Sequence, residues 1–129
     1  MKTIKNTFKT IAIMAIVFGC GNKSIISQEK ERQHLAELKS EIEQLVAKGT
    51  CSNEKECDFI AFGSKPCGGP WSYLVYSTTI DVKLLKEKVA IYNSKEHSFN
   101  KKWGIASDCM MAAPPFKLEC VDGSCKTIN

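Results

Sequence analysis

The chain has 129 residues, with 18 Lys plus Arg against 14 Asp plus Glu, and seven cysteines. That length suits one small domain and excludes a large multidomain enzyme. The formal charge of +4 makes no case for nucleic acid: without Lys2, Lys5 and Lys9 the balance falls to 15 positive against 14 negative side chains, whereas a phosphate backbone calls for a strong basic excess gathered on one face.

Lys2, Lys5 and Lys9 form a positive leading region, followed by an unbroken apolar run from Ile11 to Phe18 and then Gly19 and Cys20. This is the layout of a secretory signal. The apolar run is too short to span a bilayer, which takes roughly 20 predominantly apolar residues, and the chain turns polar at Gly21, Asn22, Lys23 and Ser24. Residues 1–19 are therefore expected to be an export signal that is removed.

Val17, Phe18, Gly19 and Cys20 resemble the bacterial lipobox, although Phe18 replaces the small or modest aliphatic residue usual there. The resemblance implies that Cys20 is diacylated and becomes the new N-terminus, with residues 20–26 as a lipidated tether. Each buried methylene contributes about 0.8 kcal/mol, and stable anchoring takes two or more acyl chains. Cysteine parity agrees, because committing Cys20 to lipid leaves Cys51, Cys57, Cys67, Cys109, Cys120 and Cys125, an even set.

Residues 27–129 read as a single disulfide-rich domain. Ser27 is the expected cap of a helix running to about Lys48, with Glu29 and Glu31 near its positive end and Gly49 just past it. Leu35, Leu38, Ile42 and Leu45 share one stripe, with Val46 beside it. That stripe is expected to pack on its own domain. A partner or coiled-coil seam is weaker because only two heptads are apolar.

Phe59 to Phe62, within Cys57–Gly63, reads as a buried strand, and Tyr73 to Thr78 as a second. Thr79 is the expected cap of a second helix whose stripe, Val82, Leu85, Val89, Tyr92, Phe99 and Trp103, is interrupted by Glu96. Asn93 with Ser94 offers a break, and Gly104 a stop. Residues 116–121 and 124–128 flank Asp122 and Gly123, a two-residue hairpin signal of type I′. The order predicts an α+β fold with an antiparallel sheet of about four strands and a long helix between the strand pairs.

In an exported chain this small, six cysteines are expected to form three disulfides. Their spacing is unlike the close pairs of zinc sites, so no metal or other cofactor is expected. Fifteen pairings are possible. If Asp122 and Gly123 form the turn, Cys120 opposes Cys125 at a Cα separation of about 4.5 Å, the short edge of the disulfide range. That bridge would pair Cys51 with Cys57; the alternative sends the hairpin cysteines to Cys51 and Cys57. Both schemes leave Cys67 with Cys109, closing a loop worth roughly 4 kcal/mol in the chain-entropy account.

Cys51 and Cys57, the segment Gly63 to Pro70 (GSKPCGGP), Tyr73 to Ser77 (YLVYS), Tyr92 with Asn93, Ser107 to Cys109 (SDC), Pro114, and Cys120 with Cys125 together resemble a group of small cysteine-rich exported bacterial proteins, many of them lipoproteins. The resemblance covers about residues 51–126. It implies a location and a fold, and no reaction.

Catalytic chemistry finds little support. Only His34 and His97 are present, and a set of Ser107, His97 and Asp108 lacks the local frame of a nucleophile elbow. The carboxylates are scattered, and Gly68 with Gly69 lacks the wider phosphate-loop pattern. The chain is not expected to be an enzyme.

Two loops carry the binding candidates. In Lys65–Trp71, prolines and a half-cystine stiffen a turn that offers Lys65 and Trp71, and a rigid loop loses less entropy on binding. In Cys109–Pro115, adjacent Met110 and Met111 offer an adaptable apolar contact. Core packing of Trp71 and of the methionines is the plainer alternative.

The expected function is that of a lipid-anchored, non-catalytic module binding another envelope protein. The alternative is a protease inhibitor presenting one of these two braced loops. Residues 21–26 lack the acidic cluster that resembles a surface-export signal, which favours the periplasmic side over the cell surface.

Overall fold

The computed structural model describes residues 21–128, so the apolar run 11–18 and the lipobox resemblance ending at Cys20 lie outside the described residues. Helix α1 spans Gly21–Val46, strands β1 and β2 span Cys57–Phe62 and Ser72–Ser77, helix α2 spans Val82–Trp103, and strands β3 and β4 span Lys117–Val121 and Ser124–Ile128. A short 3-10 turn at Glu54–Glu56 leads into β1. The chain is thus a small α+β domain held by three disulfides. No helix among the described residues is long and apolar enough to cross a membrane.

The apolar stripes decide how the helices pack. Ile42 of α1 and Leu85, Val89 and Tyr92 of α2 are buried with Phe62 of β1 and Tyr76 of β2, while Leu35, Leu38, Leu45 and Val46 lie against that cluster. The α1 stripe therefore covers its own domain. Phe62 and Tyr92 stack with ring centroids 4.8 Å apart, which joins the first hairpin to α2 through an aromatic contact worth about 0.5–1.5 kcal/mol beyond its area. Polar ends of core side chains are satisfied: Tyr76 donates to Asp58 at 2.9 Å. Burial, then that hydrogen bond, pushes the Tyr76 phenol up to about 12.

Element boundaries differ from expectation where a side chain is engaged elsewhere. Residues 21–26 are helical, so Ser27 lies inside α1 and does not cap it. Asp81 caps α2, its carboxylate accepting from the Leu84 amide at 2.9 Å. Thr79 instead donates its hydroxyl to the Thr50 carbonyl at 2.9 Å. Helix α2 runs unbroken through Asn93 and Ser94 to Gly104, which ends it with a left-handed cap. Asn93 does not break the helix because its amide is spent on β1 and the loop beyond it, donating to the Ala61 carbonyl and accepting from the Gly63 amide.

The four strands form two separate two-stranded antiparallel sheets, β1 with β2 and β3 with β4, in place of the single sheet expected. The second hairpin turns through Asp122 and Gly123, both at positive φ, and its register sets Cys120 opposite Cys125. These two cysteines do not bond each other. Cys120 pairs with Cys51 and Cys125 with Cys57, at Cα separations of 5.9 and 5.5 Å. Of the two schemes open from sequence, the structure takes the one that ties the first strand to the last. The Cys51 amide also donates to the Gly123 carbonyl at 3.0 Å. The hairpins are joined by these links and do not extend one ladder, and the sulfurs of Cys51, Cys57 and Cys125 all lie within 4.8 Å of one another.

Three disulfides point to an extracytoplasmic location. The Ile42→Ala variant is expected to lose about 2–5 kcal/mol of stability, because Ile42 is fully buried at the centre of the core. Urea unfolding with the bridges intact measures it, and a loss below about 1 kcal/mol would mean that α1 contributes little to the core.

Candidate functional site

One face of α2 buries the apolar stripe, while a polar row beside it grips the loop between β1 and β2. Asn93 accepts from the Gly63 amide at 2.7 Å, Glu96 accepts from the Ser64 amide at 2.6 Å, and Asn100, itself buried, donates to the Ser64 carbonyl at 2.7 Å. Glu96 interrupts the apolar stripe for this purpose. Its other carboxylate oxygen accepts from the Tyr92 hydroxyl at 3.2 Å, and burial with the adjacent Glu96 charge raises the Tyr92 pKa. Gly63 sits at φ 83°, and a Cβ there would lie 2.7 Å from Trp71 Cδ1 and 3.0 Å from a Glu96 oxygen. Only glycine allows the backbone to pass between these two side chains.

Held at Gly63 and Ser64, the loop closes on itself. The Lys65 amide donates to the Gly69 carbonyl and the Gly68 amide to the Lys65 carbonyl, both at 2.9 Å. The Lys65 side chain turns inward and the residue is only 7% exposed. Its ammonium donates to Asp108 Oδ1 at 2.7 Å and to the Met110 carbonyl at 2.6 Å, and lies 5.1 Å from the centre of the Trp71 ring. Cys67 bonds Cys109, as expected in either disulfide scheme. A buried cation and a covalent bond thus hold the same short stretch, 108–110, to the loop.

Around that anchor, residues 105–116 form no helix or strand, and they carry the most exposed large apolar side chains of the described residues. Met110 is 73% exposed, Met111 91% and Phe116 100%. Core filling does not account for Met110 and Met111, whose side chains stand in solvent. Lys65 is different: its charge is spent inside the molecule, so it braces the loop and offers no outward contact. Trp71 is intermediate, one side covering Gly63 and the Lys65 ammonium while 42% of the residue stays exposed.

Phe116 escaped the reading of the sequence, although a proline pair directly before an aromatic residue was a usable signal that the ring is held off the strand it precedes. Ser107, His97 and Asp108 do not gather into a charge-relay arrangement. His97 Nδ1 meets the Ser64 hydroxyl at 3.5 Å, and Asp108 is held by Lys65. The sulfurs of Cys51, Cys57 and Cys125 are spent in disulfides, which leaves them no thiolate to offer a metal. Compared with protein-family models, with curated proteins and with solved structures, the chain finds no match in any of the three.

The Lys65 hydrogen bond, then the Lys65 charge, holds the Asp108 carboxyl below its ordinary value of 3.8. A depressed carboxylate stabilises the fold above that ordinary value and loses its effect as pH falls through the depressed one. Stretch 108–111 is therefore expected to stay ordered at neutral pH and to loosen only in strong acid, seen as a shift of the Met110 and Met111 methyl signals that follows Asp108 protonation. In Lys65→Met, amide exchange at residues 108–113 should rise at least about tenfold at neutral pH with β1 and β2 unchanged. Equal protection in the variant would show that the Cys67–Cys109 bond alone holds the segment.

Proposed function

We propose that the protein is a lipid-anchored, extracytoplasmic and non-catalytic module that binds another component of the bacterial envelope through segment 105–116. The observation that carries this reading is the exposure of Met110, Met111 and Phe116 on a segment whose root is fixed by Cys109 and by the Lys65 ammonium. Three large apolar side chains standing in water are costly unless a surface covers them, and unbranched methionine side chains adapt to an irregular partner. Because the root is already ordered, docking loses less conformational entropy than a free loop would. Trp71 supplies a partly exposed aromatic beside the Lys65 ammonium, on the face of the loop that holds the root.

Anchoring through Cys20 is supported by the lysine-flanked apolar run and the lipobox resemblance, and by the even number of cysteines left for bridges. The periplasmic side is preferred for the same reason given by residues 21–26. A protease inhibitor stays the second reading, since an exposed segment beside a disulfide is the form that many such inhibitors present. On this structure the inhibitory contact would be Met110 or Met111, not the buried Lys65.

Two experiments test the reading. In cells producing the full chain, Cys20→Ser should abolish incorporation of labelled fatty acid and move the protein out of the membrane fraction; retained label would refute lipidation at Cys20. A photoreactive residue in place of Met111 should give one discrete protein adduct in intact cells, which the same group at the exposed Lys86 should not give. Adducts that are identical from both positions, or none from Met111 at good protein yield, would overturn the binding role of the segment. A protease as the adduct would favour the inhibitor.

A further inference from the structure

The two helices leave an open groove at one end that the loop reading does not use. Helices α1 and α2 run antiparallel, as the pairs Glu41 with Lys88 and Glu31 with Lys102 show. Between the N-terminal half of α1 and the C-terminal half of α2 lies a groove of about 460 Å³. That falls in the range of roughly 300–1,000 Å³ usual for small-molecule sites. Its floor is apolar, from Leu35 and Phe99, and Leu35 belongs to the outer layer of the core.

The rim is cationic. Lys30 comes from α1, and Lys95 and Lys102 from α2, against the single carboxylate of Glu31, with His34 of α1 beside them. That carboxylate is already committed: it accepts from the Lys102 ammonium and from Trp103 Nε1 at 3.0 Å. Those bonds, the Lys102 one first, lower its pKa, so it stays ionised and paired. His34 faces Glu37 along α1 at 3.8 Å. Among the described residues Lys30 and Lys95 form no ion pair. They line the groove from opposite sides, Lys30 on α1 and Lys95 on α2.

From this arrangement we infer that the groove between α1 and α2 binds a small amphipathic carboxylate, with a compact apolar body on Leu35 and Phe99 and its carboxylate between Lys30 and Lys95. The apolar floor selects for the body, which gains by leaving water. The cations select the charge and reject a neutral or cationic analogue. Both groups stay partly in solvent, so affinity is modest and falls with added salt. The site shares no residue with segment 105–116 or the loop that braces it, so this inference and the proposed binding role stand or fall separately.

Naphthylacetate is a suitable probe, with naphthylethanol as the neutral isostere and acetate as the head group alone. The full chain, as isolated from cells that produce it, is titrated with each by calorimetry, and binding is located by NMR shifts of the Leu35 methyls and the Phe99 ring. The expected result is saturable one-to-one binding of naphthylacetate, with acetate and naphthylethanol each weaker by at least about tenfold. The double variant Lys30→Gln with Lys95→Gln, two exposed positions, should fold normally and weaken naphthylacetate about tenfold while leaving naphthylethanol unchanged. Absence of saturable binding, equal affinity for the neutral isostere, unchanged affinity in the double variant, or shifts away from Leu35 and Phe99 would each overturn the inference.

Discussion

Two covalent bonds between residues 51–57 and the C-terminal hairpin are the constraint that joins this hairpin to the packed part of the domain. A two-stranded hairpin is marginal by itself in water, and this domain has two of them and no larger sheet. The first is stabilised by packing: Phe62 and Tyr76 belong to the buried cluster with Ile42, Leu85, Val89 and Tyr92. No residue of the second belongs to that cluster. Its place is set by Cys51–Cys120 and Cys57–Cys125, which join residues 69 and 68 apart in sequence. Each bridge is worth about 4 kcal/mol in the chain-entropy account, and the two overlapping loops give less than the sum. Crossed pairing matters more than number here. Had Cys120 bonded Cys125 and Cys51 bonded Cys57, each bond would have closed a local turn and left the hairpin untethered.

Helix α2 carries a second set of constraints in the polar row along its apolar stripe. Leu85, Val89 and Tyr92 face the core, whereas Asn93, Glu96 and Asn100 hold three backbone groups of Gly63 and Ser64. Those bonds aim Lys65 inward, and Lys65 in turn holds Asp108 and the Met110 carbonyl. A chain of specific contacts therefore runs from the helix, through the loop, to a segment far away in sequence. Each link is polar and partly buried, which makes it directional: moving Gly63 by the width of a methyl group would push Trp71 and Glu96 aside.

What could be read from the sequence follows from how local each signal is. The α1 and α2 stripes are periodic within a few turns, and Asp122–Gly123 encodes its own turn, so these elements and the α+β class were legible. The cap of α2 was not, because Thr79 and Asp81 are both good caps and the choice between them rests on Thr50, which draws the Thr79 hydroxyl away. Asn93 with Ser94 reads as a break only if the Asn93 side chain competes for its own helix backbone; here it is occupied by Ala61 and Gly63. Lys65 was the hardest. Its partners lie 43 and 45 residues away, and no local pattern distinguishes a lysine that will fold inward from one that will meet solvent. The interruption by Glu96 was the available hint, since a carboxylate on a buried stripe needs a donor, and the nearest irregular backbone was the Gly63 loop.

The same logic separates the two surfaces that remain exposed. Segment 105–116 is held at Ile105, Asp108, Cys109 and the Met110 carbonyl and turns its large apolar side chains outward, so its disposition depends on bonds that are made in the free protein. The groove between the helices is the reverse: its apolar residues are already partly buried, and among the described residues the charges of Lys30 and Lys95 have no ion-pair partner. An uncovered apolar segment favours a large dry contact, because area removed from water is what it gains. A cationic rim over a shallow apolar floor favours a small charged molecule, because a broad protein surface would have to strip water from several lysines at once without offering each a partner. The two surfaces are held by different means: the helices that wall the groove pack through Ile42, Leu85 and Val89 and carry no half-cystine, whereas segment 105–116 is fixed by Cys67–Cys109 and the Lys65 ammonium, so a change at one need not disturb the other.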